Sequence, residues 1–311
     1  MISKIAYYII ILPFSFLPLW LLYGIGDLLY LLLLTVLPYR KKVINANIDR
    51  AFPQMSQREK SKLRRKFYRY FSNLLMESVK GLSISKSSLL KRVSVENPEV
   101  MEVLYKEGKD VLFVGGHYNN WEWLILIQDV LFSHKAIGVG KPLSNGFLNV
   151  KMNARRERFG MTVTNNKALK ACFEKYLNSD HPAAVLLLAD QSPGDSLKSY
   201  WMQFLGTLTP VLYGPEYLAV SYNTAVVYYE MKRTKRGFYT LSLKVLEKEP
   251  RTTHWGEITE KHAREMEATI LEHPEFWIWS HKRWKRTIPD NLEALKMKQK
   301  EKFHHLLAKY K

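Results

Sequence analysis

Cysteine is nearly absent: Cys172 is the only one among 311 residues. No disulfide can form within the chain, and a reducing compartment suits it. Acid is also in short supply, since 29 Asp and Glu face 47 Lys and Arg for a formal charge of +18 with neutral histidines. Such an excess favours anionic partners, but charge alone does not choose between nucleic acid and anionic lipid. Several catalytic signatures are missing too. There is no G-x-S-x-G nucleophile elbow, no P-loop and no G-x-G-x-x-G opening a helix, and HYNNWE lacks the second histidine of H-E-x-x-H. His254, His262, His273 and His281 show no ligand spacing, so no metal site is expected. Neither an internal repeat nor a low-complexity linker interrupts the chain.

What the chain has instead is a long apolar stretch at residues 5–37, broken only by Pro13, Pro18, the Gly24-Ile25-Gly26-Asp27 step and a few hydroxyls. At ~1.5 Å per residue it is long enough to cross a hydrocarbon core of ~30 Å, with Arg40, Lys41 and Lys42 following on the cytoplasmic side. The prolines and Asp27 suit equally well two shorter helices lying in one leaflet. A buried hairpin in the core is the plain alternative. The stretch is too long for a cleaved signal peptide, and no small-residue cleavage site follows it. A soluble nucleic-acid binder has no use for such a segment. Residues 1–40 are therefore expected to form a membrane anchor and 41–311 the body.

In the body, Leu63, Phe67, Tyr70, Phe71 and Leu74 recur at helical spacing among Lys and Arg, giving an amphipathic basic helix that serves as an ordinary surface helix or touches lipid. Strands are predicted at 111–114, 134–139, 185–188, 209–213, 225–229 and 238–245, with helices at 121–130 and 257–271 and a charged helical tail from 291. Strands alternating with helices predict an α/β fold with a central mixed, mainly parallel sheet covered by helices on both faces.

One site stands out. The run VLFVGGHYNNWEWLILI places His117 just after an apolar strand and Glu122 five residues on. Strand exits are where α/β sheets place their chemistry. Five steps of ~100° leave two helical side chains ~140° apart, so His117 must precede the helix or start it. Gly115 and Gly116 accept a tight turn there, letting Glu122 reach back to the imidazole. A carboxylate on one ring nitrogen fixes the tautomer and supports the cation formed when the other takes a proton. Downstream, Lys151, Arg155, Arg156 and Arg158 crowd one segment, as phosphate-binding forks or as a solvated helical face. Asp190 either orients a substrate or caps the turn at 190–194.

GGHYNNWE resembles the H-x4-D/E motif of the glycerolipid (lysophospholipid) acyltransferase superfamily. The remaining blocks resemble the lipid A biosynthesis lauroyl or myristoyl acyltransferases. These blocks are Lys141-Pro142-Leu143-Ser144-Asn145 with Arg155 downstream, Ala189-Asp190-Gln191-Ser192-Pro193, Phe204-Leu205-Gly206 with Thr209-Pro210, and Trp277, Trp279, His281, Arg283, Trp284 and Lys285. The resemblance runs from the apolar N-terminus to this last block. It implies a glycerolipid-acyltransferase-like domain over 41–311, with His117 and Glu122 as the catalytic dyad. Lys141, Arg155, Arg156 and Arg158 become candidates for the acceptor's anionic headgroup, and Asn120, Asn145, Asp190, Gln191 and Arg283 supporting or substrate-orienting residues. The implied reaction moves a fatty acyl chain from an acyl carrier protein thioester, or acyl-CoA, to a hydroxyl of a lipid A precursor, with no permanently bound cofactor. The implied partners are acyl carrier protein, an anionic lipid acceptor and the membrane, with no nucleic acid, at the cytoplasmic face of a bacterial inner membrane. Another lysolipid, phosphoglycolipid or amino lipid as acceptor is the alternative, and a non-catalytic membrane adaptor the second.

Overall fold

Branched and aromatic residues in short apolar runs become the strands of the computed structural model, which describes every residue except 1, 38, 166, 178 and 311. The strands are β1 (Val93–Val95), β2 (Val111–Gly115), β3 (Lys135–Val139), β4 (Thr162–Thr164), β5 (Ala183–Leu188), β6 (Tyr200–Phe204), β7 (Thr207–Val211), β8 (Ala225–Lys235) and β9 (Phe238–Glu247). Seven form one sheet in the order β1-β9-β8-β2-β5-β3-β4. Every neighbouring pair is parallel except β8–β9, a hairpin turned at Arg236-Gly237. Segment 209–213, predicted as a further β segment, falls largely in β7, which pairs instead with β6 in a separate antiparallel ribbon. That ribbon turns at Leu205 and Gly206, both left-handed with φ of 47° and 71°.

Strand β2 is buried on both faces, as a central parallel strand must be. Leu112 and Val114 point into one core layer with Phe67, Leu74, Met266 and Ile270, from the helices Gln57–Lys80 and Glu257–Glu272. Val111 and Phe113 point the other way, against Trp123, Leu126 and Ile127 of the helix Trp121–Leu131. The expected α/β sandwich with helices on both faces is thus the one formed. The basic helix Gln57–Lys80 starts with a capping box, Ser56 with Glu59. It buries Leu63, Phe67, Tyr70 and Leu74.

The N-terminal segment departs from a single pass. Among the described residues no helix is long and apolar enough to cross a membrane. Short helical pieces run to Phe16, the backbone extends at Leu17 and Pro18, and a second helix follows over Leu19–Thr35. Proline has no N–H to continue the ladder and pushes the residue before it out of the helical region, which explains the break. The second helix packs along Gln57–Lys80 and is pinned by polar contacts. Tyr23 donates to Glu77 (2.8 Å), Arg236 grips both oxygens of Asp27 (2.9 and 3.0 Å), and Lys80 donates to the carbonyls of Ser15 and Leu17 (3.0 Å each). Its far face leaves Leu28, Leu31 and Leu32 exposed, and Val36 and Leu37 are exposed just past its end.

The double glycine at the end of β2 works by space, and neither residue has a left-handed backbone. A Cβ on Gly115 would lie 2.5 Å from the ring of Tyr229, itself stacked on Phe113 at 4.9 Å. On Gly116 it would meet Met266 at 2.6 Å and Asp190 Cγ at 3.0 Å. The left-handed residue of the following loop is Asn119, at φ 49°. Because the Tyr229 ring is wedged against Phe113, Gly115→Ala is expected to destabilise the protein by about 1–3 kcal/mol, the cost of overpacking. Urea unfolding in detergent checks this; an unchanged midpoint would show that the ring can retreat.

Candidate active site

Strands β2 and β5 are neighbours in register, Gly115 opposite Leu188. His117 and Asp190 therefore each stand two residues beyond the paired strand ends, at the carboxyl edge where α/β sheets gather ligands. His117 Nδ1 lies 2.7 Å from Asp190 Oδ1. The other oxygen, Oδ2, accepts the His117 backbone N–H (3.0 Å) and the indole N–H of Trp277 (2.7 Å). Burial alone would raise the Asp190 pKa. The facing imidazole and the hydrogen bonds from His117 and Trp277 outweigh it and hold the carboxyl at about 2. An ionised Asp190 can only accept, so Nδ1 carries the proton and Nε2 is the basic nitrogen.

That nitrogen faces a polar group. The side-chain amide of Gln191 sits 3.2 Å from Nε2. The ring also meets the indole of Trp121 edge-on at 5.0 Å. Both His117 and Gln191 line a cavity of about 520 Å³. Its lining is mixed, with apolar Ile125, Met161, Val163 and Leu186 beside polar groups, and Lys141 and Arg156 are its cationic side chains among the described residues. Beside it, the Ser192 N–H donates to Nε2 of His281 (3.1 Å), which burial keeps neutral by lowering its pKa to about 4. The C-terminal aromatic block is stapled onto the histidine loop: Asn119 N–H donates to the Phe276 carbonyl (3.0 Å), and Tyr118 bridges to Trp277.

The carboxylate on the imidazole is therefore Asp190, where Glu122 was expected. Glu122 opens the helix Trp121–Leu131 at the cavity wall, and its oxygens are taken by Arg155 and by Arg156 (2.7 Å). Burial opposes its ionisation, but the two guanidinium groups prevail and hold its pKa at about 2. Two headgroup candidates are likewise committed elsewhere. Arg155 is 3% exposed, pairs with Glu122 and donates to the Ser78 carbonyl (3.0 Å). Arg158 clamps the carbonyls of Gly81, Leu82 and Ile84. Neither lines the cavity, whereas Lys141 and Arg156 do.

Three supporting candidates hold parts of the fold and do not line the cavity. Asn120 caps the helix Trp121–Leu131 by accepting the Trp123 N–H (3.0 Å), and donates to buried Glu77 (2.5 Å), which also takes the Tyr239 hydroxyl (2.6 Å). Asn145 caps the helix Gly146–Arg156 by accepting the Leu148 N–H (3.1 Å). Arg283 is buried and donates to Thr209 Oγ1 and the Pro210 carbonyl. Sequence reasoning missed Trp277 as a donor to Asp190, and Asn149 and Asn153 as polar cavity lining. The one available signal for the His117–Asp190 pair was the parallel phrasing of two strands, each followed at the same distance by a titratable residue.

Two buried carboxylates held near pKa 2 make the fold acid-sensitive. Unfolded, Asp and Glu titrate near ~4. Their folded pKa values lie below that, so the stability they add is complete above about pH 5 and is lost as pH falls from ~4 towards ~2. We expect the unfolding free energy to drop steeply below pH 4, by on the order of 2 kcal/mol per carboxylate, and the urea midpoint to fall with it. Asp190→Asn should lower the midpoint at pH 7 and flatten the acid limb. A midpoint unchanged from pH 5 to 3 in the native protein would contradict the charge assignment.

A comparison with curated proteins gives no match. The family model described as bacterial lipid A biosynthesis acyltransferase matches residues 2–286, and so takes in the apolar N-terminus, the His117 loop, Asp190 and the tryptophan block. By that match over nearly its whole length, the chain belongs to the bacterial lipid A biosynthesis acyltransferase family.

Proposed function

We propose that the protein transfers a fatty acyl chain from an acyl carrier protein thioester, with acyl-CoA as the other donor of suitable chemistry, to a hydroxyl of a lipid A precursor. The observation that carries this reading is one basic nitrogen, His117 Nε2, oriented through Asp190 and opening on a partly apolar cavity with cations along its wall. A volume of about 520 Å³ is in the range of small-ligand sites. Its apolar lining residues suit a fatty chain, and Lys141 and Arg156 suit phosphate on the acceptor.

In this mechanism the acceptor hydroxyl displaces the Gln191 amide from His117 Nε2 and gives its proton to the ring as its oxygen attacks the thioester carbon. Asp190 stays ionised and supports the imidazolium. The freed amide of Gln191, which sits beside His117 Nε2, then donates to the carbonyl oxygen as it gains negative charge. Collapse of the tetrahedral intermediate breaks the C–S bond, and the imidazolium returns its proton to the departing thiolate. An ester and a free thiol result, with no bond to the enzyme. Glu122 acts as a positioning residue, fixing Arg156 at the wall and pairing with buried Arg155.

The chemistry places the reaction at a lipid surface. The exposed apolar face of the helix Leu19–Thr35 fits insertion into one leaflet, and the excess of positive charge fits the anionic cytoplasmic side of a bacterial inner membrane. Residues 1–40 then serve as an inserted anchor for the acyltransferase domain at 41–311.

Turnover of a lipid A precursor by purified protein with acyl carrier protein thioesters tests the reading, alongside a panel of lysolipids. His117→Ala should lower kcat by about 10³-fold or more, and Asp190→Asn by about 10²- to 10⁴-fold, with membrane binding retained in both. Wild-type turnover in His117→Ala would reject the mechanism, and turnover on lysolipids alone would move the acceptor. Lys141 is exposed and, among the described residues, has no hydrogen-bond or ion-pair partner. Lys141→Ala is expected to raise the acceptor KM about tenfold with kcat within about twofold, as loss of one charge-assisted contact requires. A fall in kcat at unchanged KM would instead place this cation in the chemical step.

A further inference from the structure

A second cavity, of about 250 Å³, lies away from His117, where the apolar helix Leu19–Thr35 ends beside the basic helix Gln57–Lys80. It is lined by Leu34, Lys41, Ser61, Arg64, Arg65 and Tyr68, none of which lines the catalytic cavity. Three of the six are cations, and none is a carboxylate. The Arg64 guanidinium is held in place by neutral oxygens only, Asn45 Oδ1 at 2.7 Å and Ser61 Oγ at 2.8 Å, so its charge is aimed without being cancelled. Lys41 and Arg65 are exposed and, among the described residues, have no ion-pair or hydrogen-bond partner. Uncompensated like charges around one hollow repel each other, and an anion there relieves the repulsion.

The surroundings indicate which anion. Leu28, Leu31 and Leu32 are exposed on the same helix before the cavity residue Leu34, and Val36 and Leu37 are exposed just past the helix end. Tyr39, whose carbonyl accepts from the cavity-lining Tyr68 (2.9 Å), stacks on Phe71 at 5.5 Å, and Tyr30, one turn before Leu34, lies under the Arg69 guanidinium at 4.9 Å. Aromatic rings and arginines set among exposed aliphatic side chains match the interfacial belt of a lipid leaflet. A soluble phosphate would have no use for the aliphatic strip. We propose that this cavity binds the phosphodiester headgroup of an anionic bilayer lipid, whose chains lie along Leu28 and Leu31, and that this lipid is a docking ligand separate from donor and acceptor. The proposal rests on the reading that this face meets a bilayer.

The test uses the full chain and flotation with vesicles of phosphatidylcholine, alone or mixed with phosphatidylglycerol. Phosphatidylglycerol should tighten wild-type binding about tenfold or more. The exposed double variant Lys41→Glu/Arg65→Glu should lose that gain while keeping its binding to neutral vesicles. Lys42→Glu/Arg58→Glu makes the same charge change on exposed residues outside the cavity and should keep most of the gain. Equal losses in the two double variants would mean diffuse attraction and overturn the site. Inorganic phosphate supplies the other arm: a rise in Tm with millimolar phosphate that the Lys41→Glu/Arg65→Glu variant lacks, together with no phosphatidylglycerol effect, would overturn the lipid assignment. Acyl transfer in detergent micelles should stay at the wild-type level in both double variants, so failure of the reaction and failure of lipid selectivity register in separate assays.

Discussion

The active edge depends on a single buried negative charge. Removing a carboxylate from water is costly unless donors replace the solvent around it. Asp190 receives them from three directions: the imidazole of His117, the backbone N–H of the same residue, and the indole of Trp277. Each donor comes from a different part of the chain or a different atom of the loop, so satisfying the charge is also what fixes the loop's position. The backbone bond locates the His117 main chain, the ring bond sets its tautomer, and the indole draws the C-terminal block over both. Gly116 is part of the same constraint, because any side chain there would intrude on Asp190 and Met266.

A second charge balance shapes the wall opposite. Glu122, Arg155 and Arg156 form a compact group in which one acid meets two cations, Arg155 buried and Arg156 at the cavity. This gives the motif's second residue a use unlike the one a direct hydrogen bond to the histidine would give it. The spacing of five places Glu122 in the first turn of its helix, turned towards the helix Gly146–Arg156. The histidine, held outside the helix by the left-handed Asn119, turns towards β5.

Much of this was legible in the sequence. Periodicity located most strands and the long helices, and the apolar run ending in Gly-Gly-His marked the site, because short range suffices for both. The partner of the imidazole was not legible. It depends on β2 lying next to β5, and strand order is a long-range property that local pattern does not encode. The placement of Arg155 and Arg158 away from the cavity was not legible for a related reason. Composition shows that cations crowd a segment, but whether a guanidinium faces a cavity or clamps nearby carbonyls is decided by packing. The break in the N-terminal segment was foreshadowed by Pro18, yet the anchoring of Asp27 by Arg236 joins residues far apart in the chain.

Glu77 links the two ends of the molecule in a way that bears on handling it. Its carboxylate accepts from Tyr23 in the N-terminal helix and from Asn120, the residue that caps the helix carrying Glu122. The apolar N-terminal segment is therefore a strut of the candidate site. Trimming it to gain solubility would strip one donor from a sealed acid and slacken the cap beside the histidine. A shortened version that remained folded would still report on a scaffold different from that of the intact enzyme.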